Sequence, residues 1–500
     1  MKFEKKALLL QFIFIGLLYF FALNNSLDFG DSTHYLVGAK SILNGSFYHD
    51  ISLVNGPSII QYPPAYSFFL AGVFLIFGYS FFAAKFFSLV FTLSSIFLAF
   101  LLFKAHFSEK MSFVLSFVFS ANLLVLWYSH RVLSEPIFLF FSLLSVVFLE
   151  KYFGEKKAFS KNSVASNLFL ALSILARTIG ATLSIAAAFF LITQKKYKKA
   201  LVVAILPILI FSLWVYYVNS NIGSANFAES YFNQVFLKDV FNPHYGVVSP
   251  HGMFLRIIGN SFYYFFVSIP QAVFSPLDVA NWFFQNNFLF LVLSICVGLV
   301  FLFGFFSSMK KNPQFAHFYL FFYMSFLIIW PALDTSAVDR FLLPVLPFLL
   351  IFFAFGLKFF SAHFKINEKK VLFLVFSICI IFSLGSGIFY LNSIHSRQFN
   401  ENYLNFVDAT NWIDSNTKST DVFWSSNPQA IFLLSERKSA MFNGNENILN
   451  QLEKYKISYV FVSADASQGD FEKKVEQIKE NLTLVFEGKD HKTKIYQFQN

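Results

Sequence analysis

The chain has 500 residues, 56% hydrophobic and 13% charged, with a mean hydropathy of +0.58 and a formal net charge of +10. A soluble globular domain carries about 25% charged residues, so the chain as a whole is not a soluble globular protein. Two cysteines, Cys296 and Cys379, both within apolar runs, exclude a disulfide framework or a cysteine metal site. The basic excess lies as lysine between apolar runs, which reads as membrane orientation and not as nucleic-acid binding.

Taken from the N-terminus, apolar runs predict transmembrane helices near 7–24, 81–103, 111–128, 135–150, 165–177, 180–193, 200–218, 287–307, 315–332, 341–360 and 371–391, about eleven in all. The first follows Lys2, Lys5 and Lys6 without a small-residue cleavage site and reads as a retained helix. Lysine clusters at 2–6, 104–110, 151–161, 195–199, 310–311 and 365–370 mark cytoplasmic loops, which puts the N-terminus inside and the C-terminus outside. Two further stretches, 64–79 and 259–276, are short or broken by Pro63, Pro64, Gly78, Pro270 and Pro276, and read as interfacial or re-entrant helices. Counting them as spans would give thirteen and break the lysine pattern. Within 165–193, Arg177 and Gly180 interrupt an otherwise continuous run, which predicts a hairpin with Arg177 at its outer tip.

From about His395 the apolar runs shorten to strand length, at Val422–Trp424, Tyr459–Val462, Leu482–Phe486 and Ile495–Phe498, with helical patterns between them. This predicts a small α/β domain over 395–500, after a membrane domain over 1–394 whose first outer loop spans 24–64. The domain carries no catalytic constellation of its own, and acceptor docking or covering a cavity is its expected role.

Polar residues are scarce, so those on the outer face carry the information. The loop 24–64 holds Asp28, Asp31, His34, Tyr35, Lys40, His49 and Asp50, far more than a connection needs. If the chain is helical from Gly30, then Asp31, His34 and Tyr35 share one face. Asp31 could instead be a helix cap. Of 38 basic residues only six are arginine: Arg131, Arg177, Arg256, Arg340, Arg397 and Arg437. The predicted topology puts all six outside. Arginine offers a planar fork for phosphate oxygens, and Arg131, Arg177 and Arg340 fall at the outer mouths of helices, where a lipid phosphate would lie. Headgroup contact, or pairing with Asp339 or Glu135, is the alternative. Glu135, before Pro136 at a helix start, is either a carboxylate of the same cavity or a helix N-terminal acid. No Walker A, Rossmann, HExxH or GxSxG pattern occurs.

Asp31-Ser-Thr-His-Tyr-Leu-Val-Gly-Ala-Lys-Ser-Ile-Leu-Asn-Gly45 resembles the start of the first outer loop in GT-C type glycosyltransferases. Tyr62-Pro63-Pro64-Ala65-Tyr66 resembles their Tyr-Pro-Pro stretch, and Ser134-Glu135-Pro136, Leu175-Ala-Arg177-Thr-Ile-Gly180 and Asp339-Arg340-Phe-Leu-Leu-Pro344 resemble later landmarks in the same order. The nearest groups are the lipid A aminoarabinose transferases and the protein O-mannosyltransferases. The resemblance covers about 30–360. It implies an α-helical polytopic membrane enzyme, placed in a bacterial cytoplasmic membrane, that moves a sugar from a polyprenyl-phosphate donor to a hydroxyl of a lipid, glycan or protein acceptor on the outer face, with inversion. Asp31 would be the general base, Arg131, Arg177 and Arg340 would hold the donor phosphate, and Asp28, His34, Tyr35, Tyr62 and Glu135 would orient substrate. Many relatives carry Asp-Glu where this chain has Asp31-Ser32, so no metal ligands are assigned and a divalent metal stays an open alternative. The rival reading is a transporter or flippase for lipid-linked sugars, against which stand span interiors nearly devoid of charge.

Overall fold

The computed structural model describes residues 2–222, 231–240, 245–274, 288–331, 340–397, 401–441, 447–463 and 469–499. These pack as two compact units: Met1–Leu23 with Lys85–Leu391, and Asn24–Ala84 with Asn392–Asn500.

The first unit is helical and apolar. The described residues of each of the eleven segments expected to cross the membrane are mainly helical. Among the described residues, seven helices are long and apolar enough to cross a bilayer: Phe81–His106, Ser134–Gly154, Tyr197–Asn221, Pro250–Phe274, Leu291–Lys311, Arg340–His363 and Glu368–Ile394. The number is eight if the bent pair Glu109–Ala121 and Leu123–Ser129 is one span. The other expected spans are helices shorter than the roughly 20 residues a straight crossing needs, such as Lys161–Ala176, with 16 residues, and Phe315–Ile329, with 15. Pro250–Phe274 is longer than expected: Ser249 caps its start by accepting from the Gly252 amide, and Pro270 is accommodated beyond a π-helical turn at Tyr264–Ser268. By length and composition it is a candidate span, where the sequence suggested a re-entrant helix; the end of that stretch, with Pro276, lies outside the described residues. The stretch near 64–79 forms the helix Ala65–Phe77, of 13 residues.

Two local causes shape this unit. The bend of 56° after Ala121 is made by Asn122, which leaves the helix at φ −60°, ψ 133°, accepts from the Leu124 amide and donates to the carbonyl of Ala272. Helices Phe288–Lys311 and Leu346–His363 touch backbone to backbone at Gly304 and Gly356. A Cβ on Gly304 would stand 2.0 Å from the Phe352 oxygen, the small-residue crossing that membrane helices use in place of a hydrophobic drive.

The second unit joins the first outer loop to the C-terminal residues. Its sheet has the order β2-β1-β3-β5-β4, with β1 Val422–Ser425, β2 Ser439–Ala440, β3 Ile457–Val462, β4 Leu482–Glu487 and β5 Lys494–Phe498. β1 runs parallel to β2 and β3, while β5 is antiparallel to β3 and β4. Trp424, Ala440, Leu452, Ile457, Val460, Val462, Val475 and Ile478 form the core on one face. Helix Glu401–Asn416 buries Phe406, Ala409 and Ile413, with Phe406 edge-on to Phe461 of β3. The four expected strands are β1, β3, β4 and β5.

Candidate active site

In the outer loop, Gly30 at φ 74° starts the helix Asp31–Leu43. Only a residue tolerant of positive φ fits there. Asp31 is therefore the first helical residue and not the cap, and Gly30 has no side chain with which to cap. The carboxylate is taken up by the loop instead: the Tyr62 hydroxyl donates to Asp31 Oδ1 at 2.8 Å. His34 stacks on the Tyr62 ring at 4.9 Å and 22°, and Tyr35 meets the same ring edge-on at 5.1 Å. The expected shared face of Asp31, His34 and Tyr35 is thus closed by one buried tyrosine. The half-buried His34 imidazole has its pKa lowered by desolvation, while the Asp50 and Asp31 carboxylates act in the opposite direction. Neutral imidazole is the form present near pH 7.

Tyr62 is held in turn. The Tyr48 hydroxyl donates to the Tyr62 carbonyl at 2.9 Å, and the Ile59 amide donates to the Tyr48 carbonyl at 3.0 Å. Asp28 lies elsewhere in the loop, beside Tyr403, whose hydroxyl accepts from the Leu27 amide.

In the membrane unit, helix Lys161–Ala176 ends where Arg177 becomes extended at φ −152°, ψ 130°. The chain then folds back on itself: a Cβ on Gly180 would stand 2.8 Å from the Ser173 carbonyl carbon, so only glycine fits. The turn exposes the Arg177 guanidinium to Glu135, in the first turn of helix Ser134–Gly154, at 2.5 Å. Arg340 Nε reaches the same Glu135 Oε1 at 2.8 Å. Both guanidiniums stand over the Phe341 ring, at 5.7 and 5.8 Å, and the Tyr323 hydroxyl holds the Phe341 carbonyl at 2.7 Å. Glu135 is 1% exposed. Two arginines thus share one carboxylate.

Arg131 is placed differently. Its guanidinium lies over Trp127 at 4.3 Å, Trp127 packs on Tyr390, and the Tyr390 hydroxyl meets His130 Nε2 at 3.2 Å. Asp339 lies outside the described residues. Two arginines have structural partners: Arg256 donates to the carbonyls of Val235 and Leu237, and Arg437 to Thr417 and the Ser435 carbonyl. Sequence reasoning passed over Lys85, a cation 1% exposed near the start of helix Phe81–His106; its signal was a single charge early in an apolar run. Among the described residues, no group of three or more His, Cys, Asp or Glu is placed to hold a metal ion.

The family model for dolichyl-phosphate-mannose-protein mannosyltransferases matches residues 61–217. No curated protein matches the chain by sequence. Among solved structures, ArnT from Cupriavidus metallidurans bound to undecaprenyl phosphate superposes with a TM-score of 0.63 at 11% identity, over 98% of this chain and 97% of that one. The apo oligosaccharyltransferase of Archaeoglobus fulgidus superposes with a TM-score of 0.54 at 11% identity, over 94% and 71%. The same organism's AglB, in complex with an inhibitory peptide and a dolichol-phosphate, gives 0.52 at 12% identity, over 92% and 70%. The chain has the GT-C fold: an α-helical, multi-pass membrane protein with a small C-terminal sheet.

Proposed function

We propose that this GT-C fold serves a glycosyltransferase that moves a sugar from a polyprenyl-phosphate carrier to an acceptor hydroxyl on the outer face of a bacterial cytoplasmic membrane. The observation that carries this reading is the gathering of two arginines, Arg177 and Arg340, on the buried Glu135. A phosphate monoanion or dianion is the complementary ligand, and arginine's fork suits its oxygens. The structural neighbours named for undecaprenyl phosphate and dolichol-phosphate support the same ligand class.

The proposed step is a direct displacement. Asp31 takes the proton of the acceptor hydroxyl as its oxygen bonds to the anomeric carbon. The bond from that carbon to the phosphate oxygen breaks, its electron pair goes to the phosphate, and the configuration inverts. Arg177 and Arg340 stabilise the charge that develops there. Tyr62, His34 and Tyr35 hold Asp31 in place, which contributes more than basicity.

The test is a transfer assay on purified protein with radiolabelled polyprenyl-phosphate sugars and extracted envelope acceptors. Label should leave the lipid in the presence of acceptor and without any nucleotide sugar. Retention of label on every carrier lipid, with all acceptor fractions, overturns the reading. Movement of intact lipid-linked sugar across liposomes without bond cleavage assigns the rival transporter.

A further inference from the structure

The loop bearing Asp31 is bound to the C-terminal sheet by a set of contacts spread along its length. Gln429, in helix Pro428–Ser435, donates from Nε2 to Asp50 Oδ2 at 2.9 Å. Both side chains are buried, at 7% and 6% exposure. Four residues further along the loop, the Val54 amide donates to the Ser439 carbonyl at 3.0 Å and the Ser439 amide donates to the Ser52 carbonyl at 2.8 Å. Leu53 pairs with Ser439 as a parallel bridge, so the loop adds itself to the free edge of β2. At the helix, Lys40 pairs with Glu436 at 3.0 Å and lies over Phe432 at 5.3 Å.

From Asp50 a hydrogen-bonded route leads to Asp31. The Asp50 amide donates to the Pro57 carbonyl, and His49 bridges Ser58, which closes a short hairpin. The hairpin carries Tyr48 on one arm, and Tyr48 holds the carbonyl of Tyr62, whose hydroxyl meets Asp31. We infer that the C-terminal domain is a clamp for the outer loop, with Gln429 and Asp50 as positioning residues that fix Tyr62 and, through it, Asp31. This inference rests on Asp31 being the general base. It gives the domain a task at the reacting end of the loop without any catalytic group of its own, and it requires the two ends of the chain to work as one body.

Asp50 Oδ1 accepts from the Ser52 amide and hydroxyl, and Gln429 serves Oδ2; a buried oxygen that loses its donor is costly, so removing the Gln429 side-chain amide should loosen the hairpin before it unfolds the domain. Gln429→Glu is isosteric and sets a second carboxylate on Asp50. Gln429→Leu removes the donor without adding charge and covers the case in which the first variant does not accumulate. Hydrogen exchange at the Val54 and Ser439 amides reads the clamp directly and needs no activity. The clamp predicts exchange at least 10-fold faster in either variant, with amides inside β3 and β5 unchanged. It also predicts kcat lowered about 10- to 100-fold with donor KM within about 2-fold of wild type, since Gln429 does not touch the donor. In the Asp50→Ala background, Gln429→Leu should add less than about 2-fold, because both act through one contact. Unchanged exchange at Val54 and Ser439 overturns the clamp, and so do additive effects on kcat. If wild-type protein transfers no sugar, the proposed function fails, while the exchange measurements still decide whether Gln429 orders the loop.

Discussion

Asp31 follows a glycine N-cap and spends its carboxylate on Tyr62, so the base and cap readings now separate at one atom. Asp31→Asn keeps the shape and an acceptor for Tyr62. We expect it to fold, to bind donor as wild type does, and to lose about 10²- to 10⁴-fold in kcat; single-turnover transfer checks this, and activity within a few-fold of wild type removes Asp31 from the mechanism. For the proposed phosphate site, Arg177→Ala or Arg340→Ala should raise donor KM about 10- to 100-fold, the range of a lost charge-assisted hydrogen bond. Lysine should recover only part, since it lacks the fork; donor titration in detergent measures both. His34 adds a pH effect. Its folded pKa lies below the ordinary value of 6.5, so the unfolded chain takes up a proton that the folded loop resists. Stability is unaffected well above pH 6.5 and falls as pH drops through 6.5 toward the folded value. Thermal unfolding between pH 7.5 and 5 should show a steeper decline in wild type than in His34→Gln. Asp31, His34 and Tyr35 were legible because helical spacing brings them together within five residues. Tyr48 and Gln429 were not, since nothing local marks a tyrosine or a buried glutamine as the partner of a distant carbonyl or carboxylate.

The turn between helices Lys161–Ala176 and Ala181–Thr193 depends on one missing Cβ. Gly180→Ala would press a methyl against the Ser173 backbone at 2.8 Å, and overpacking of this kind costs about 1–3 kcal/mol. We expect a lowered unfolding midpoint together with weakened donor use, because the same turn delivers Arg177 to Glu135; a midpoint equal to wild type would show that the turn opens freely. The break was visible in the sequence as Arg177 and Gly180 within an apolar run. β1, β3, β4 and β5 were visible as short apolar segments. β2 escaped because Ser439–Ala440 is two small residues long and becomes a strand only between β1 and the outer loop. The helix from Pro250 was underestimated because Pro270 suggests an end, whereas the π-helical turn before it accommodates the ring.

Across the whole chain, the lysine clusters predict an outside C-terminus as long as Pro250–Phe274 does not itself cross the bilayer: a reporter enzyme that works only outside the cytoplasm, fused after Asn500, should then be active, and an inactive fusion would reverse the placement of every proposed site residue. Arginine usage does not by itself mark a phosphate site, since Arg256 and Arg437 donate to carbonyl and hydroxyl partners in their own units. The pairing of loop and sheet has a consequence in time. Gln429 follows Asp50 by 379 residues, and at 5–20 residues per second a ribosome needs roughly 20–75 s to cover that distance. For that interval the nascent chain holds Asp31, Tyr62 and, in its later part, both arginines proposed for the phosphate, without the segment proposed to order the loop. On the proposed clamp, premature termination between Arg340 and Gln429 would yield a chain with every proposed reacting group and no segment to aim the loop, so completion of synthesis would itself be the step that turns transfer on.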